Sequence, residues 1–288
     1  MTDLDREFTE AMVTMASSYD GWKGASPDDV GFYRSDEDGD EPTSAELMAA
    51  EQRLSAAERR RVARELADES ITGIRTGISS DNREAWLAAR KQYVCGSEVA
   101  AMLGESPYAD ATRGSVVMEK AGLADPFVGT EQTKLGNYLE PAVAEFVRRE
   151  WGWVLIRCGE LIRDAESECL AATPDYLVLT PWGIGSVQIK CTVAMAQEDC
   201  KPRKDGQPST AAYANGAPLH HQLQQQAELA CLGLEWSTLL VLHAAGPGMK
   251  VRAYSTRRHE GVIARIRGEA AALMAEVKAL REGQVKVA

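Results

Sequence analysis

The sequence lacks the features that mark secreted, zinc-binding and membrane-spanning proteins. Its six cysteines include no C-x-x-C pair, and no apolar run typical of a signal peptide opens the chain. We therefore expect reduced thiols and a cytoplasmic protein, rather than a disulfide framework or a structural zinc site. No stretch approaches the roughly 18 consecutive apolar residues that a membrane-spanning helix needs, so we expect no membrane partner.

The sequence also lacks a basic excess, and its net charge at neutral pH is -11. The acidic excess is uneven, because residues 1–80 carry 18 acidic and nine basic residues, whereas residues 81–288 carry 25 and 23. A near-neutral region of this kind can still expose a basic track for phosphates. The charge therefore does not exclude a nucleic-acid enzyme, although it disfavours tight DNA binding through charge alone.

Composition divides the chain near residue 80, where Gly73, Gly77 and a pair of serines mark a break. We predict an acidic helical extension over residues 1–80, with helices at 3–18 and from Thr43 onward, and one larger domain over residues 81–288. The acidic run at 36–41 is most simply a solvated linker. The alternative is an acidic segment that mimics DNA or docks a basic partner.

The larger domain alternates helical and strand-like patterns. Apolar spacing predicts an antiparallel meander and further strands, at 153–162, 169–179, 187–191, 237–243 and 250–255. It also predicts helices at 82–90, 112–120, 133–150, 218–232 and 257–282. These patterns indicate an α/β core.

A predicted β-hairpin carries an unusual set of polar residues. Thr173-Pro174-Asp175 precedes the apolar run 176–179, and a turn containing Pro181, Gly183 and Gly185 leads to the strand at 187–191. An aspartate that follows a proline at the start of a buried strand is an unusual core residue. The hairpin would bring this aspartate close to the second strand.

Alternation along the second strand places two polar side chains together. Gln188 and Lys190 leave one face of the strand, while Val187 and Ile189 point to the other. With Asp175, the two polar residues suit a hard divalent cation, ligated by the aspartate, beside a lysine that steadies a hydroxide or a phosphoryl charge. The alternative is an exposed strand face with ordinary polar residues.

This arrangement resembles the signature of the PD-(D/E)XK nuclease superfamily, with one departure: Gln188 stands where the signature has an acidic residue. Further segments narrow the resemblance to the phage lambda-type exonucleases and YqaJ-like viral recombinases. These are Gly96–Gly104 with Ser106-Pro107-Tyr108, Gly136–Pro141, and the glutamine-rich stretch His221–Gln226. Their order and spacing extend the resemblance from residue 83 to about residue 260.

The resemblance implies a restriction-endonuclease-like α/β fold, with a mixed central sheet flanked by helices. It implies that Glu140 and Asp175 hold one or two Mg²⁺ ions, for which Mn²⁺ would substitute, assisted by Gln188 and the backbone carbonyl of Ile189. Lys190 would orient or deprotonate the attacking water. Judged without the resemblance, a helical glutamate followed by a proline is more typical of a plain surface residue.

Trp86, Arg90 and Ser97 keep the spacing that precedes the nuclease core in the lambda-type enzymes. The resemblance implies that Arg90 and Ser97 bind the 5′-phosphate of a DNA end. An arginine offers a bidentate fork, and a serine that opens a helix adds a hydroxyl and free N–H groups to an anion. The alternative is that Ser97 caps its helix and Arg90 pairs with a local glutamate.

Other residues are candidates for support only. By the resemblance, Asp164, Gln222 and Gln226 lie near the active site, although an aspartate at the end of a loop needs no functional role. His220 and His221 are expected to be ordinary surface histidines, because a magnesium site built from oxygen ligands does not require imidazole.

The resemblance implies a 5′-to-3′ exonuclease that digests linear duplex DNA to 3′ overhangs in the cytoplasm of a bacterial or phage-infected cell. It further implies a ring-shaped trimer that hands the overhang to a single-strand annealing protein. Gln188 leaves two interpretations open: a working enzyme that binds metal more weakly, or an impaired site that still binds DNA ends. A third is an interaction module whose acidic N-terminal region recruits a recombination or replication partner.

Overall fold

The computed structural model describes residues 56–124, 129–180, 183–195, 212–213, 216–245 and 249–283. The predicted helix at 3–18, the acidic linker, and Pro181 of the predicted turn lie outside the described residues. None of the helices within these ranges is long and apolar enough to cross a membrane.

Four of the described helices begin after a residue whose side chain caps the first turn. Asn82, Thr112, Thr130 and His259 each accept a hydrogen bond from a backbone N–H in the first turn of the helix that follows. The α-helices are α1 (Ala56–Ser70), α2 (Arg83–Arg90), α3 (Val99–Met102), α4 (Arg113–Ala121), α5 (Glu131–Glu150), α6 (Leu219–Leu232) and α7 (Glu260–Arg281), and a 3₁₀ turn spans Gly96–Glu98.

The strands form two sheets. They are β1 (Ile74–Ser79), β2 (Val94–Cys95), β3 (Val154–Arg157), β4 (Glu160–Arg163), β5 (Leu170–Ala172), β6 (Tyr176–Thr180), β7 (Gly183–Thr192), β8 (Trp236–His243) and β9 (Lys250–Arg257). One sheet has the order β1-β4-β5-β2 and the other β3-β6-β7-β8-β9. Each is mixed, since β2 pairs with β5 and β7 with β8 in parallel, while the other pairs are antiparallel.

The predicted single meander is wrong, because the chain crosses between the two sheets. It leaves β3 for β4 at Gly159, whose φ of 62° is left-handed, and returns to β6 after Pro174. The two crossings lie side by side, with the backbone N–H groups of Cys158 and Gly159 donating to the carbonyls of Asp175 and Pro174, each at 3.0 Å. Asp175 therefore lies where the sheets meet.

The predicted hairpin is present, with β6 and β7 antiparallel and Thr180 opposite Gly183. Gly185, however, lies inside β7 opposite Val178, and its assignment to the turn is wrong. A Cβ atom on Gly185 would lie 2.5 Å from the ring of Trp236 on β8. The glycine is thus explained by the close approach of an indole ring rather than by a turn.

Strand β7 separates two layers of core. Val187 and Ile189 pack against Val143 and Val147 of α5. The opposite face carries Ile184, which packs in one cluster with the α6 residues Leu229 and Leu232. Gln188 and Lys190 share the face of Ile184, so they are directed toward the α6 side of the sheet.

Helix α1 and strand β1, which precede residue 80, are packed against the two sheets. Strand β1 pairs with β4, with Ile74 opposite Arg163, and α1 packs against β3 and β7. Ala63 and Ala67 of α1 are buried. Residues 56–79 of the predicted extension therefore supply one strand of the four-stranded sheet and a helix that packs against the five-stranded sheet. The domain boundary near residue 80 stays a prediction.

The C-terminal helix is anchored by a buried ion pair. Asp164, 2% exposed, accepts hydrogen bonds from Arg267 of α7 at 2.6 and 3.0 Å. Replacing Arg267 by glutamine would leave a buried carboxylate without its counter-charge. We expect Arg267→Gln to lower the free energy of unfolding by about 3–5 kcal/mol in urea denaturation.

The control for this change is Lys278→Gln on the same helix, where the side chain is 76% exposed. It should change the free energy of unfolding by less than about 0.5 kcal/mol. Equal effects of the two substitutions would show that the Asp164–Arg267 pair is not a principal anchor of α7.

Candidate active site

The site begins at Asp175, immediately before β6. Its Oδ2 accepts a hydrogen bond from the backbone N–H of Ile189 at 2.8 Å, which ties the carboxylate to β7. Burial raises the pKa of Asp175, while Lys190, the Ile189 N–H and Arg157 act to lower it. The carboxylate thus lies in a partly desolvated position beside a lysine.

Glu140 reaches the same place from α5. It is half-buried, and its pKa is raised to about 7, first by burial and then by the charge of Asp175, while Arg157 and Lys190 oppose the change. The charge of Asp175 thus acts on Glu140. Glu140 is therefore not a plain surface residue.

Gln188 and Lys190 complete the group predicted from the sequence. Gln188 is only 2% exposed, which excludes the alternative of an exposed strand face at this position. Its amide donates to the Thr173 carbonyl at 3.4 Å, and its Oε1 accepts from Lys190 Nζ at 3.5 Å. The structure therefore brings Asp175, Glu140 and this pair to one place.

A further carboxylate, Glu228, enters the site from α6 and was not predicted. It is 1% exposed, and its Oε1 accepts a hydrogen bond from Gln224 at 3.0 Å. Burial and then the charge of Asp175 raise its pKa well above the ordinary value, opposed by Lys190 and by the amides of Gln224 and Gln188. Across the described residues, its Oε2 has no hydrogen-bond partner.

The sequence signal for Glu228 was its distance of four residues from Gln224, which places both side chains on one face of a helix. The family resemblance rests on the amides of His221–Gln226, and Glu228 lies outside that stretch.

A second cluster surrounds Arg90. Its guanidinium lies 3.2 Å from Ser97 Oγ, 2.9 Å from Glu98 Oε1, and 4.5 Å from the ring centroid of Trp86. The expected contact of Arg90 with Ser97 and the alternative pairing with a glutamate are therefore both present. Ser97 is not a helix cap, because Cys95 holds the N-cap position of the 3₁₀ turn.

Glu98 is the carboxylate that the cations of this cluster share. It pairs with Arg90 and with Lys120 of α4, which is 2% exposed and lies 2.6 Å away, and it accepts from the Cys95 N–H at 2.8 Å. Burial acts to raise the pKa of Glu98, but Lys120 and Arg90 outweigh it and hold the pKa below 4.5. Arg90 and Lys120 thus share Glu98 as their partner beside Ser97, and the charge of Glu119 also acts on Arg90.

One threonine joins the two clusters. Trp86, on which Arg90 stacks, donates its indole N–H to Thr173 Oγ1 at 3.0 Å. The carbonyl of the same Thr173 accepts a hydrogen bond from the amide of Gln188. The cationic pocket and the carboxylates are thus held against the same short segment.

Comparison with known proteins identifies the family. The model of the YqaJ-like viral recombinase domain matches residues 85–235, just over half of the chain. The chain belongs to the YqaJ-like viral recombinase family. The search of curated proteins found no significant match.

Solved structures confirm the fold expected for a YqaJ-family chain. An alkaline exonuclease from Laribacter hongkongensis has 23% identity and a TM-score of 0.54, covering 70% of this chain and 95% of its own. The same enzyme in complex with dAMP gives 22% identity, a TM-score of 0.55 and the same coverage. A phage-related exonuclease from Haemophilus somnus 129PT has 15% identity and a TM-score of 0.48, covering 67% and 96%.

The supporting residues proposed from the sequence make other contacts. Asp164 pairs with Arg267, Gln222 donates to the Ala217 carbonyl at 2.7 Å, and Gln226 donates to the Arg257 carbonyl at 2.6 Å. The first contact anchors α7, the second joins α6 to the residues that precede it, and the third joins α6 to β9. It is Gln224 that contacts the carboxylate group, through Glu228.

The expectation that His220 and His221 are ordinary surface residues is wrong. Both are half-buried, their ring centroids lie 4.0 Å apart, and the ring of Tyr213 lies 6.3 Å from that of His221. Burial lowers both pKa values, that of His221 to about 2, and the charge of Lys190 contributes. The imidazoles are therefore neutral neighbours of the site.

The donor set of the YqaJ-family site fits a hard divalent cation. No group of three or more His, Cys, Asp or Glu side chains among the described residues forms a ready-made metal site. Nevertheless, Asp175 raises the pKa of both Glu140 and Glu228, and one buried oxygen of Glu228 has no partner there. Clustered carboxylates that are poorly solvated cost free energy, which a cation with oxygen ligands relieves.

Removing the anion of the cationic pocket tests its charge balance. Glu98→Gln leaves Arg90 and buried Lys120 facing each other without compensation, so we expect a loss of about 3–5 kcal/mol in the free energy of unfolding near neutral pH. Because the folded pKa of Glu98 is lowered, its stabilising effect is present above its unfolded pKa and lost as the pH falls through the folded value.

The measurement is urea denaturation of wild type and Glu98→Gln at neutral pH and at several pH values below 4.5. The difference between the two proteins should shrink in the acid range. A difference that stays constant with pH would contradict an electrostatic role for Glu98.

Proposed function

We propose that this chain is a metal-dependent exonuclease that digests linear duplex DNA from its 5′ ends and leaves 3′ single-stranded overhangs for recombination. Family membership supports a nuclease that acts on DNA in recombination. The observation that carries the proposal is the pairing of two clusters: carboxylates with Lys190, and the cationic pocket of Arg90 and Ser97, both held against Thr173.

Glu140 and Asp175 are the residues that would hold Mg²⁺, with Mn²⁺ as a substitute, assisted by the Gln188 amide oxygen and the carbonyl of Ile189. When bound, the cation supplies Lewis-acid stabilisation of the charge on the scissile phosphate and a more acidic water. The hydrogen bond from the Ile189 N–H already orients one oxygen of Asp175, leaving the other as a ligand.

Lys190 would act on the attacking water and the phosphate. Its ammonium lies beside the Gln188 amide and near the carboxylates of Asp175 and Glu140. There it can orient the water and stabilise the charge that develops on phosphorus. The water oxygen forms a bond to phosphorus as the bond to the 3′-oxygen breaks, and the leaving oxygen takes up a proton.

The pocket of Arg90 and Ser97 would hold the terminal 5′-phosphate. The Arg90 guanidinium and the Ser97 hydroxyl, 3.2 Å apart, both offer hydrogen-bond donors that suit a phosphate. Cleavage at the 3′-oxygen releases a nucleoside 5′-monophosphate and leaves a new 5′-phosphate on the DNA, so the pocket can engage again. The related Laribacter enzyme was solved with such a nucleotide, dAMP.

The family resemblance supports the proposed assembly and partners. Duplex DNA ends are the substrate, a single-strand annealing protein would receive the overhang, and a ring-shaped trimer would enclose the duplex. The reaction would take place in the cytoplasm of a bacterial or phage-infected cell.

Replacing the lysine tests the reaction. Wild type should degrade linear duplex DNA in Mg²⁺ or Mn²⁺ and stop when the metal is chelated. Lys190→Ala should lower the cleavage rate at least about a hundredfold, because it removes a charge aimed at the developing phosphoryl charge. The measurement is release of labelled nucleotide, with Lys278→Ala, an exposed lysine on α7, as the control.

Full activity of Lys190→Ala would contradict the assigned role. Wild type that binds DNA ends but cleaves in neither metal would support the impaired end-binding protein instead.

Preference for a 5′-phosphate tests the pocket. Arg90→Gln should reduce the rate ratio between 5′-phosphorylated and 5′-hydroxyl duplexes about tenfold or more, since a charge-assisted hydrogen bond contributes roughly 1.5–3 kcal/mol. Arg83→Gln is the matched control, because Arg83 lies on the same helix over the same Trp86 ring, at 5.8 Å. An unchanged ratio in Arg90→Gln would contradict the proposal that Arg90 binds the 5′-phosphate.

A further inference from the structure

We propose that Glu228 supplies the acidic metal ligand that position 188 lacks, so that carboxylates from α5, the start of β6 and α6 hold the cation together. This inference rests on the proposed metal-dependent function and deepens it. The signature's acidic residue at position 188 of β7 would thus be replaced by a glutamate on the facing helix α6.

The fold places the two positions face to face. Gln188 lies on the side of β7 that is directed toward α6, and it is 2% exposed. Glu228 lies on α6 and is 1% exposed. Asp175 and Lys190, which flank Gln188, both act on the charge of Glu228. Both residues are therefore buried on elements that pack against each other.

Other buried carboxylates show that Glu228 is unusual. Glu98 is satisfied by Arg90, Lys120 and a backbone N–H, and both oxygens of Asp164 are occupied by Arg267. Glu228 accepts a hydrogen bond from the neutral Gln224, while the Gln188 amide and the charge of Lys190 also act on it, and its Oε2 is without a hydrogen bond among the residues that the structure describes. A buried oxygen left open costs free energy, which indicates a ligand rather than a structural role.

Besides its proposed role beside the cation, Gln188 bridges two neighbouring groups. Its amide is used to bridge the Thr173 carbonyl and Lys190, so it holds the lysine beside the carboxylates without adding charge. A glutamate at 188 could not donate to Thr173 when ionised. The neutral residue on β7 and the charged residue on α6 are therefore complementary.

The test separates metal binding from cleavage. Calorimetric titration with MnCl₂ and with MgCl₂, at one mildly alkaline pH, compares the full-length wild type with Glu228→Gln. We expect the variant to bind both cations at least about tenfold more weakly, because it loses a charged ligand and keeps the shape of the side chain. Glu269→Gln, which removes an exposed glutamate of α7 that pairs with Arg113, should bind like wild type.

Two further measurements exclude a structural explanation. Without metal, Glu228→Gln should unfold at the same temperature as wild type or higher, since no hydrogen bond to Oε2 is lost. The exchange variant, Gln188→Glu with Glu228→Gln, should recover most of the lost affinity by moving the charge back to β7.

Unchanged metal affinity in Glu228→Gln would overturn the inference, as would a large loss of stability without metal or an exchange variant that stays as weak as Glu228→Gln. Wild type that binds neither cation would overturn both this inference and the metal-dependent function. If wild type binds Mn²⁺ through Glu228 but does not cleave DNA, the proposed function fails while the ligand assignment stands.

Discussion

The hydrogen bond from the Ile189 N–H to Asp175 Oδ2 is the contact on which the site depends. It fixes a carboxylate at the point where the chain crosses from one sheet to the other, and it couples the start of β6 to the polar face of β7. The preceding residue, Pro174, offers no N–H of its own, and it takes part in the crossing through its carbonyl, which accepts a hydrogen bond from Gly159. Through Thr173, the same segment also carries the contacts of Trp86 and Gln188.

Charge is balanced differently in the two halves of the site. Around Glu98, the cations Arg90 and Lys120 are closely paired with the carboxylate, and Glu119 also acts on Arg90. Around Asp175, carboxylates gather with Lys190 and Arg157 as the opposing charges, and the pKa of Glu140 rises to about 7. Under the proposed function, a DNA phosphate would bind to the Arg90 cluster and a divalent cation to the carboxylates. Clustered charge of this kind lowers stability and is typical of functional sites.

Local sequence patterns predicted much of this fold. Apolar spacing located the helices of the larger domain, because this signal acts within one or two turns. Alternation along 187–190 correctly separated Val187 and Ile189 from Gln188 and Lys190, since strand geometry alone decides that. The same patterns misplaced Gly185 in a turn, because the neighbouring ring that excludes a side chain belongs to β8, far along the chain.

The sequence by itself determined which residues share a strand face or a helix turn, and motif order was enough to indicate the family and its nuclease fold. Only the tertiary structure decided which of these faces meet. It divided the strands between two sheets, paired Glu98 with Lys120, and buried Glu228 on the helix that packs against the face of β7 carrying Gln188. The physical reason is that periodicity records the direction of a side chain relative to its own backbone, whereas its partner is set by packing between elements that are distant in sequence.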